Sequence, residues 1–196
     1  KLLPLRFIPS RKLRSLAVKF GETKLISKKG KNILVSRLQP KANSLIAKGN
    51  AYAVTKHRMR MLAVYQYAEV RNLMVVGAAN RTEWLSGTFS KWGVDHCADV
   101  MPLLHIYRSQ LEELAEFIEI PDIIRNKLAD PDVMPGINNK GELLGDFPVV
   151  DQILYAIENE NNLTELINSY GKENVERILT LWEFSKHMRK SPYNLL

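Results

Sequence analysis

The sequence predicts an α/β domain built on a parallel sheet, with a helix-rich C-terminal half. Three observations predict it. Leu73-Met74-Val75-Val76 is a short apolar run of the kind buried on both faces of a parallel sheet, and it ends in the small-residue turn Gly77-Ala78-Ala79. Asn80 then reads as a helix N-cap, with Glu83 three positions later, where a capping-box acid belongs. Beyond residue 110, apolar residues recur mainly at helical spacing. Strand, turn and helix form the repeating unit of an open α/β sheet, whose ligands bind at the carboxyl ends of strands beside helix starts. That edge is the expected functional one.

Composition bounds the rest. The chain has 196 residues, 45% of them apolar, enough for one or at most two core-forming domains and too many for a disordered tail. Its net charge of +7 conceals a split: positions 1–60 hold 16 Lys and Arg against the single acid Glu22, whereas positions 61–196 hold 12 bases and 20 acids. Such a split is expected of a basic arm for an anionic partner, or of a fragment whose missing part balanced the charge. Lys1 in place of Met favours the fragment. The single cysteine, Cys97, excludes an intramolecular disulfide framework and fits a reducing compartment, with the cytoplasm expected. No apolar run approaches the roughly 20 residues of a membrane helix. The acid-poor start is also similar in composition to a transit peptide.

Residues 1–40 are broken by Pro4, Pro9, Gly21, Gly30 and Pro40, and only Asn32-Ile33-Leu34-Val35 reads as a short strand. Lys28-Lys29-Gly30-Lys31 reads as a solvated hairpin tip, with phosphate contact as the alternative. A helix is expected from about Ala42 to Arg71, with Val54, Met61, Leu62, Tyr65 and Ala68 on its apolar face. Arg58 falls four residues after Val54 and three before Met61, a cation on the face expected to be buried; edge packing and function both account for it.

The capped helix around Arg81–Phe89 leads into Ser90-Lys91-Trp92-Gly93, a polar loop from Asp95 to Asp99, and the apolar stretch Val100–Ile106. Asp95, His96, Cys97 and Asp99 lack the spacing of a structural zinc site, so a polar loop with a buried thiol is the expected reading. Helices follow over Gln110–Ile118, Val149–Ile157, Leu163–Tyr170 and along a stripe of Val175, Ile178, Leu179 and Trp182. The Pro-, Gly- and acid-rich segment Asp130–Asp146 suits a mobile surface loop.

Between Arg58 and Arg108 the motifs become specific. Arg58-Met59-Arg60-Met61, GAANRTE over Gly77–Glu83, SGTFSKWG over Ser86–Gly93, ADVMPL over Ala98–Leu103 and Ile106-Tyr107-Arg108 occur in order. Asp132-Val133-Met134-Pro135-Gly136 and Glu142-Leu143-Leu144-Gly145 follow. Together they resemble the C-terminal half of ammonia-dependent NAD synthetase, over roughly residues 54–192. The resemblance implies an adenine-nucleotide α-hydrolase-like (Rossmann-like) parallel sheet, incomplete in this chain. It divides the chain into a basic segment, 1–53, completing the same domain, and a synthetase-like part, 54–196.

It further implies an ATP-dependent carbon–nitrogen ligase that adenylates the carboxylate of deamido-NAD, releases pyrophosphate and lets ammonia displace AMP. Carried over residue by residue, Arg58, Lys91 and Asp99 contact the deamido-NAD, Glu83 ligates Mg²⁺, and Arg108, Ala78 and Asp130 stand at the ATP positions. His187 and Met188 fall on the C-terminal contact motif. A homodimer through the helices, and ammonia delivered directly or from a glutaminase domain, belong to the same implication.

Several positions depart from the family pattern. Ala78 replaces a nucleotide-contacting Thr, Arg108 a Lys, Asp130 a neutral hydroxyl residue and Met188 a Lys. The family's Ser-Gly-Gly-x-Asp-Ser pyrophosphatase loop occurs nowhere in these 196 residues. Two expectations stand beside the ligase: a degenerate or substrate-shifted relative, and a basic nucleic-acid-binding module, the second disfavoured by the motifs.

Overall fold

The computed structural model describes residues 33–127 and 144–190. The Lys28–Lys31 turn, Asp130 and the Asp132–Gly136 motif lie outside them. The described residues are mostly helical: α1 (Ile33–Leu38), α2 (Leu45–Arg71), α3 (Arg81–Ser86), α4 (Arg108–Phe117), α5 (Asp122–Arg125), α6 (Phe147–Glu158), α7 (Thr164–Tyr170) and α8 (Lys172–Ser185), with a 3-10 turn over Lys186–Met188.

Helix α8 is the hub. Its Val175, Ile178 and Leu181 meet Leu34 and Val35 of α1, Leu85 of α3 and Val150, Ile153 and Leu154 of α6 in one buried cluster that also contains Leu144. Each fully buried Leu, Ile or Val contributes about 1.5–3 kcal/mol relative to exposure. The helical period expected of Val175, Ile178 and their neighbours, and of Val149–Ile157, is therefore the one that forms the core.

Three expectations change. Ile33-Leu34-Val35 is the start of α1, not a strand, because adjacent Leu34 and Val35, with Leu38 one turn on, all pack on the α8 cluster. Leu73–Val76 is extended, but among the described residues it makes only one parallel bridge, Val76 to Val100. Val75 alone is buried, while Leu73, Met74 and Val76 are more than half exposed. A single neighbouring segment covers one edge of this run, so the two-faced burial expected of it is absent among the described residues. Finally, α4 buries none of its residues, and Phe117 is 84% exposed, contrary to the core stripe its spacing suggested.

Two short-range features set the geometry of the functional edge. Gly77 donates its N–H to Val100 O at 2.8 Å, and a Cβ there would come within 2.9 Å of Ala98 Cβ, so the bridge requires glycine. Gly87 ends α3 with φ +70, and a side chain on it would collide with Ser185 of α8.

Candidate functional site

Asn80 caps α3 as the sequence implies. Its side chain accepts from the Glu83 N–H at 3.0 Å, and Glu83 Oε2 accepts from the Asn80 N–H at 3.3 Å. Between them, Thr82 turns inward and is 1% exposed. Its hydroxyl donates to Asp151 Oδ1 of α6 at 2.5 Å and accepts from the Arg108 N–H, at the start of α4, at 2.8 Å. Asp151 Oδ2 accepts from both the N–H and the hydroxyl of Ser109, at 2.8 and 2.7 Å. One buried carboxylate thus ties the first turns of α3 and α4 together.

A second link lies alongside. Arg81 forms a two-pronged ion pair with Glu158, whose Oε2 also accepts from Tyr107 OH at 2.5 Å. Burial and that carboxylate raise the Tyr107 phenol far above its ordinary range, so it stays a donor.

Arg58, Lys91 and the C-terminal turn converge from distant parts of the chain. Arg58 Nη2 donates to Lys91 O at 3.3 Å, and Lys91 Nζ donates to His187 O at 2.7 Å while standing 5.1 Å from the centroid of Trp92. Arg58 is exposed; the buried positions of α2 are Ala53, His57 and the expected Ala68, with Val54, Met61 and Tyr65 half-buried, so the inward stripe runs one residue earlier than expected only around Ala53–His57, which leaves the guanidinium at the surface. Trp92 has φ 61, uncommon for a bulky side chain, which holds the Ser90–Gly93 turn in a strained form.

Asp99 closes the strand edge: Oδ2 accepts from the Val75 N–H at 2.7 Å and Oδ1 from Tyr65 OH at 3.2 Å. Desolvation and the Asp99 carboxylate raise the Tyr65 phenol, which keeps that donor protonated.

The loop between Asp95 and Asp99 packs against aromatic side chains in and just after α3. His96 stacks on Trp84 and Phe89, each with ring centroids 5.4 Å away, and meets Trp92 edge-on at 4.9 Å. Burial, then the Lys91 ammonium, hold its imidazole below the usual value. Cys97 is half-buried, and desolvation pushes its thiol up despite the nearby Arg58. Among the described residues, no group of three His, Cys, Asp or Glu side chains could hold a metal ion by itself. Glu83 offers one carboxylate, half-buried at the mouth of α3. Mg²⁺ is often held by one or two carboxylates plus substrate phosphates, so Glu83 fits as one ligand of a nucleotide-borne ion.

Two groups emerge. Arg58, Lys91, His187 and Met188 sit together, Met188 buried and His187 bonded through Nδ1 to Phe184 O at 2.9 Å. Glu83 and Arg108 are joined through Thr82, with Arg108 Nε also 2.9 Å from Glu112 Oε1 and its guanidinium 5.6 Å from the Phe147 ring centroid. Ala78 lies exposed in the turn between the strand and α3. Sequence reading missed Thr82, Ser109, Asp151 and Glu158, whose partners lie 26 to 77 residues away. It also missed Arg37, which donates to the carbonyls of Gly87 and Phe89 just after α3, while Arg189, beside Met188 in the C-terminal contact motif, donates to those of Leu85 and Trp182.

By shape, the chain is similar to the NMN synthetase from Francisella tularensis, at TM-score 0.59 and 25% identity, over 88% of this chain and 61% of that one. It also shares its fold with an NH3-dependent NAD synthetase from Campylobacter jejuni, at TM-score 0.58 and 19% identity, over 84% of this chain and 62% of that one. The fold is of the Rossmann-like nucleotide-binding class of these synthetases. In sequence, the chain is 31% identical, over its whole length and 66% of the relative's, to an NH(3)-dependent NAD(+) synthetase of Coprothermobacter proteolyticus. It is 38% identical over 143 residues to one of Thermotoga neapolitana, covering 73% of this chain and 48% of the relative. The model of the NAD synthase family matches residues 12–192. The chain belongs to that family, and it spans about half to two thirds of the length of these curated relatives.

Proposed function

We propose that the full-length gene product is a carbon–nitrogen ligase that converts deamido-NAD to NAD, using ATP to adenylate the carboxylate and ammonia to displace AMP. The observation that supports it most is the convergence of motif segments far apart in sequence: Arg58 on Lys91, and Lys91 on His187 across 96 residues. In this reading, Arg58, Lys91 and Asp99 receive the dinucleotide. A cation suits its pyrophosphate or carboxylate, and the Asp99 carboxylate suits a hydroxyl. Glu83 is one Mg²⁺ ligand; Arg108, Ala78 and Asp130 stand on the ATP side. His187 contributes through its carbonyl, which holds Lys91, and Met188 stands beside it as the other tail contact.

The same reading takes 1–53 as completing the domain of 54–196, within an adenine-nucleotide α-hydrolase-like parallel sheet. The Val76–Val100 bridge supports parallel pairing. A homodimer through α2 is supported by its exposed Tyr52, Met59, Leu62, Tyr67 and Val70. A cytoplasmic compartment agrees with the lone Cys97, and no helix among the described residues is long and apolar enough to cross a membrane.

The test is NAD formation by the full-length gene product, supplied with deamido-NAD, ATP, Mg²⁺ and ammonia. Amidation of deamido-NAD is expected, and a nicotinate mononucleotide should serve poorly. The reverse preference, favoured by the likeness to the Francisella NMN synthetase, would contradict the substrate assignment.

A further inference from the structure

We propose that Asp151 is a positioning residue that fixes Glu83 and Arg108 relative to one another, acting through Thr82 and Ser109. The inference rests on the ligase reading, in which those two residues meet one nucleotide, and it assigns a task to a helix, α6, to which that reading gives none.

The geometry is a closed relay. Thr82 directly precedes Glu83 and Ser109 directly follows Arg108. Asp151, 5% exposed, accepts from the Thr82 hydroxyl at 2.5 Å and twice from Ser109, at 2.8 and 2.7 Å. The Thr82 oxygen accepts in turn from the Arg108 N–H at 2.8 Å. A buried carboxylate is retained only when its oxygens are satisfied, and here the partners, Thr82 and Ser109, belong to the first turns of α3 and α4. Packing alone does not need this arrangement. Ile153 and Leu154 already anchor α6 in the core, and an apolar residue at 151 would bury at lower cost. What the carboxylate adds is a fixed angle and distance between two helix starts. A displacement of the supporting residues of a metal or phosphate site typically costs ten-fold or more in affinity.

Thr82→Val is the direct test, because it keeps shape and removes the oxygen that joins Arg108 to Asp151. In the full-length gene product, the Kd for a non-hydrolysable MgATP analogue and the KM for ATP should rise about ten-fold, while the KM for deamido-NAD moves less than about two-fold. Thr82→Ser, which restores the hydroxyl, should recover most of the loss. A purely structural role would lower the melting temperature and leave both nucleotide constants of the folded protein unchanged, and that result overturns the inference. If Thr82→Val does not fold, Ser109→Ala carries the same readout. It keeps the backbone bond to Asp151, and a rise of about three-fold is expected, with no rise contradicting the proposal. The two claims fail separately. A wild-type protein that binds MgATP but makes no NAD refutes the substrate assignment, and positioning is then decided by the Kd ratio. A folded wild-type protein that binds no MgATP refutes both.

Discussion

At Glu83 a single carboxylate closes the capping box of α3 and, in the proposed function, reaches a nucleotide-bound metal. The two roles separate by mutation. Glu83→Gln keeps an acceptor for the Asn80 N–H and should cost only about 1 kcal/mol of stability, while Mg²⁺-dependent nucleotide binding weakens sharply. Calorimetric titration of nucleotide with and without Mg²⁺ checks this; an unchanged metal dependence would leave Glu83 as a cap alone. His96 gives a second residue-level expectation. Because burial and Lys91 depress its folded-state value, the unfolded chain takes up the proton first as pH falls. The contribution of neutral His96 to stability is complete above about pH 6.5 and is lost progressively below it. His96→Phe, which preserves the stack on Trp84 and Phe89, should flatten the decline in denaturation midpoint between pH 7 and 5. A decline as steep as in the parent protein would show that other groups carry it. At this scale the capping box was legible because its partners are three residues apart. Thr82–Asp151 was not, since no local pattern connects residues 69 positions apart.

Among elements, helices whose stripes enter the core were the legible ones. The period of α6 and the first part of that of α8 were legible because Val150, Ile153, Leu154, Val175 and Ile178 are all buried, whereas Leu179 and Trp182 of the expected α8 stripe are half-buried and Leu181, outside it, is buried. For α1, β-branched composition pointed to a strand, and the packing of Leu34, Val35 and Leu38 on α8 overrode it. For α2, the stripe was legible in part: Met61, Tyr65 and Ala68 face inward as expected, whereas Leu62, on the expected face, is 63% exposed and His57, off it, is buried. The junction of α3 with α8 yields a sharper prediction. Gly87 has a left-handed backbone, and any side chain there would meet Ser185, whose hydroxyl donates to Leu85 O at 3.1 Å. Gly87→Ala should therefore cost roughly 2–4 kcal/mol, read as a lowered denaturant midpoint at unchanged slope. A loss below about 0.5 kcal/mol would mean the helices separate without resistance.

At the scale of the whole molecule, the charge split opens a question that the site answers in part. In the proposed function, Arg58 from the basic first 60 residues and Glu83 and Asp99 from the acidic remainder serve one site, because a site for phosphates and a metal draws on both signs. Most of the +15 lies before Arg37, within a span matched only from residue 12 by the family model. The exposed apolar side chains of α2 lead to an assembly prediction. Met59→Glu combined with Leu62→Glu should shift the sedimentation of the full-length gene product from dimer to monomer without loss of helix content. A dimer that persists would place the interface elsewhere.

The central claim concerns carboxylate activation, and the products of ATP cleavage test it most directly. With deamido-NAD, Mg²⁺ and ammonia, the full-length gene product should release one AMP and one pyrophosphate for each NAD formed. Cleavage of ATP to ADP and phosphate, or a folded protein that forms no NAD, would contradict the account.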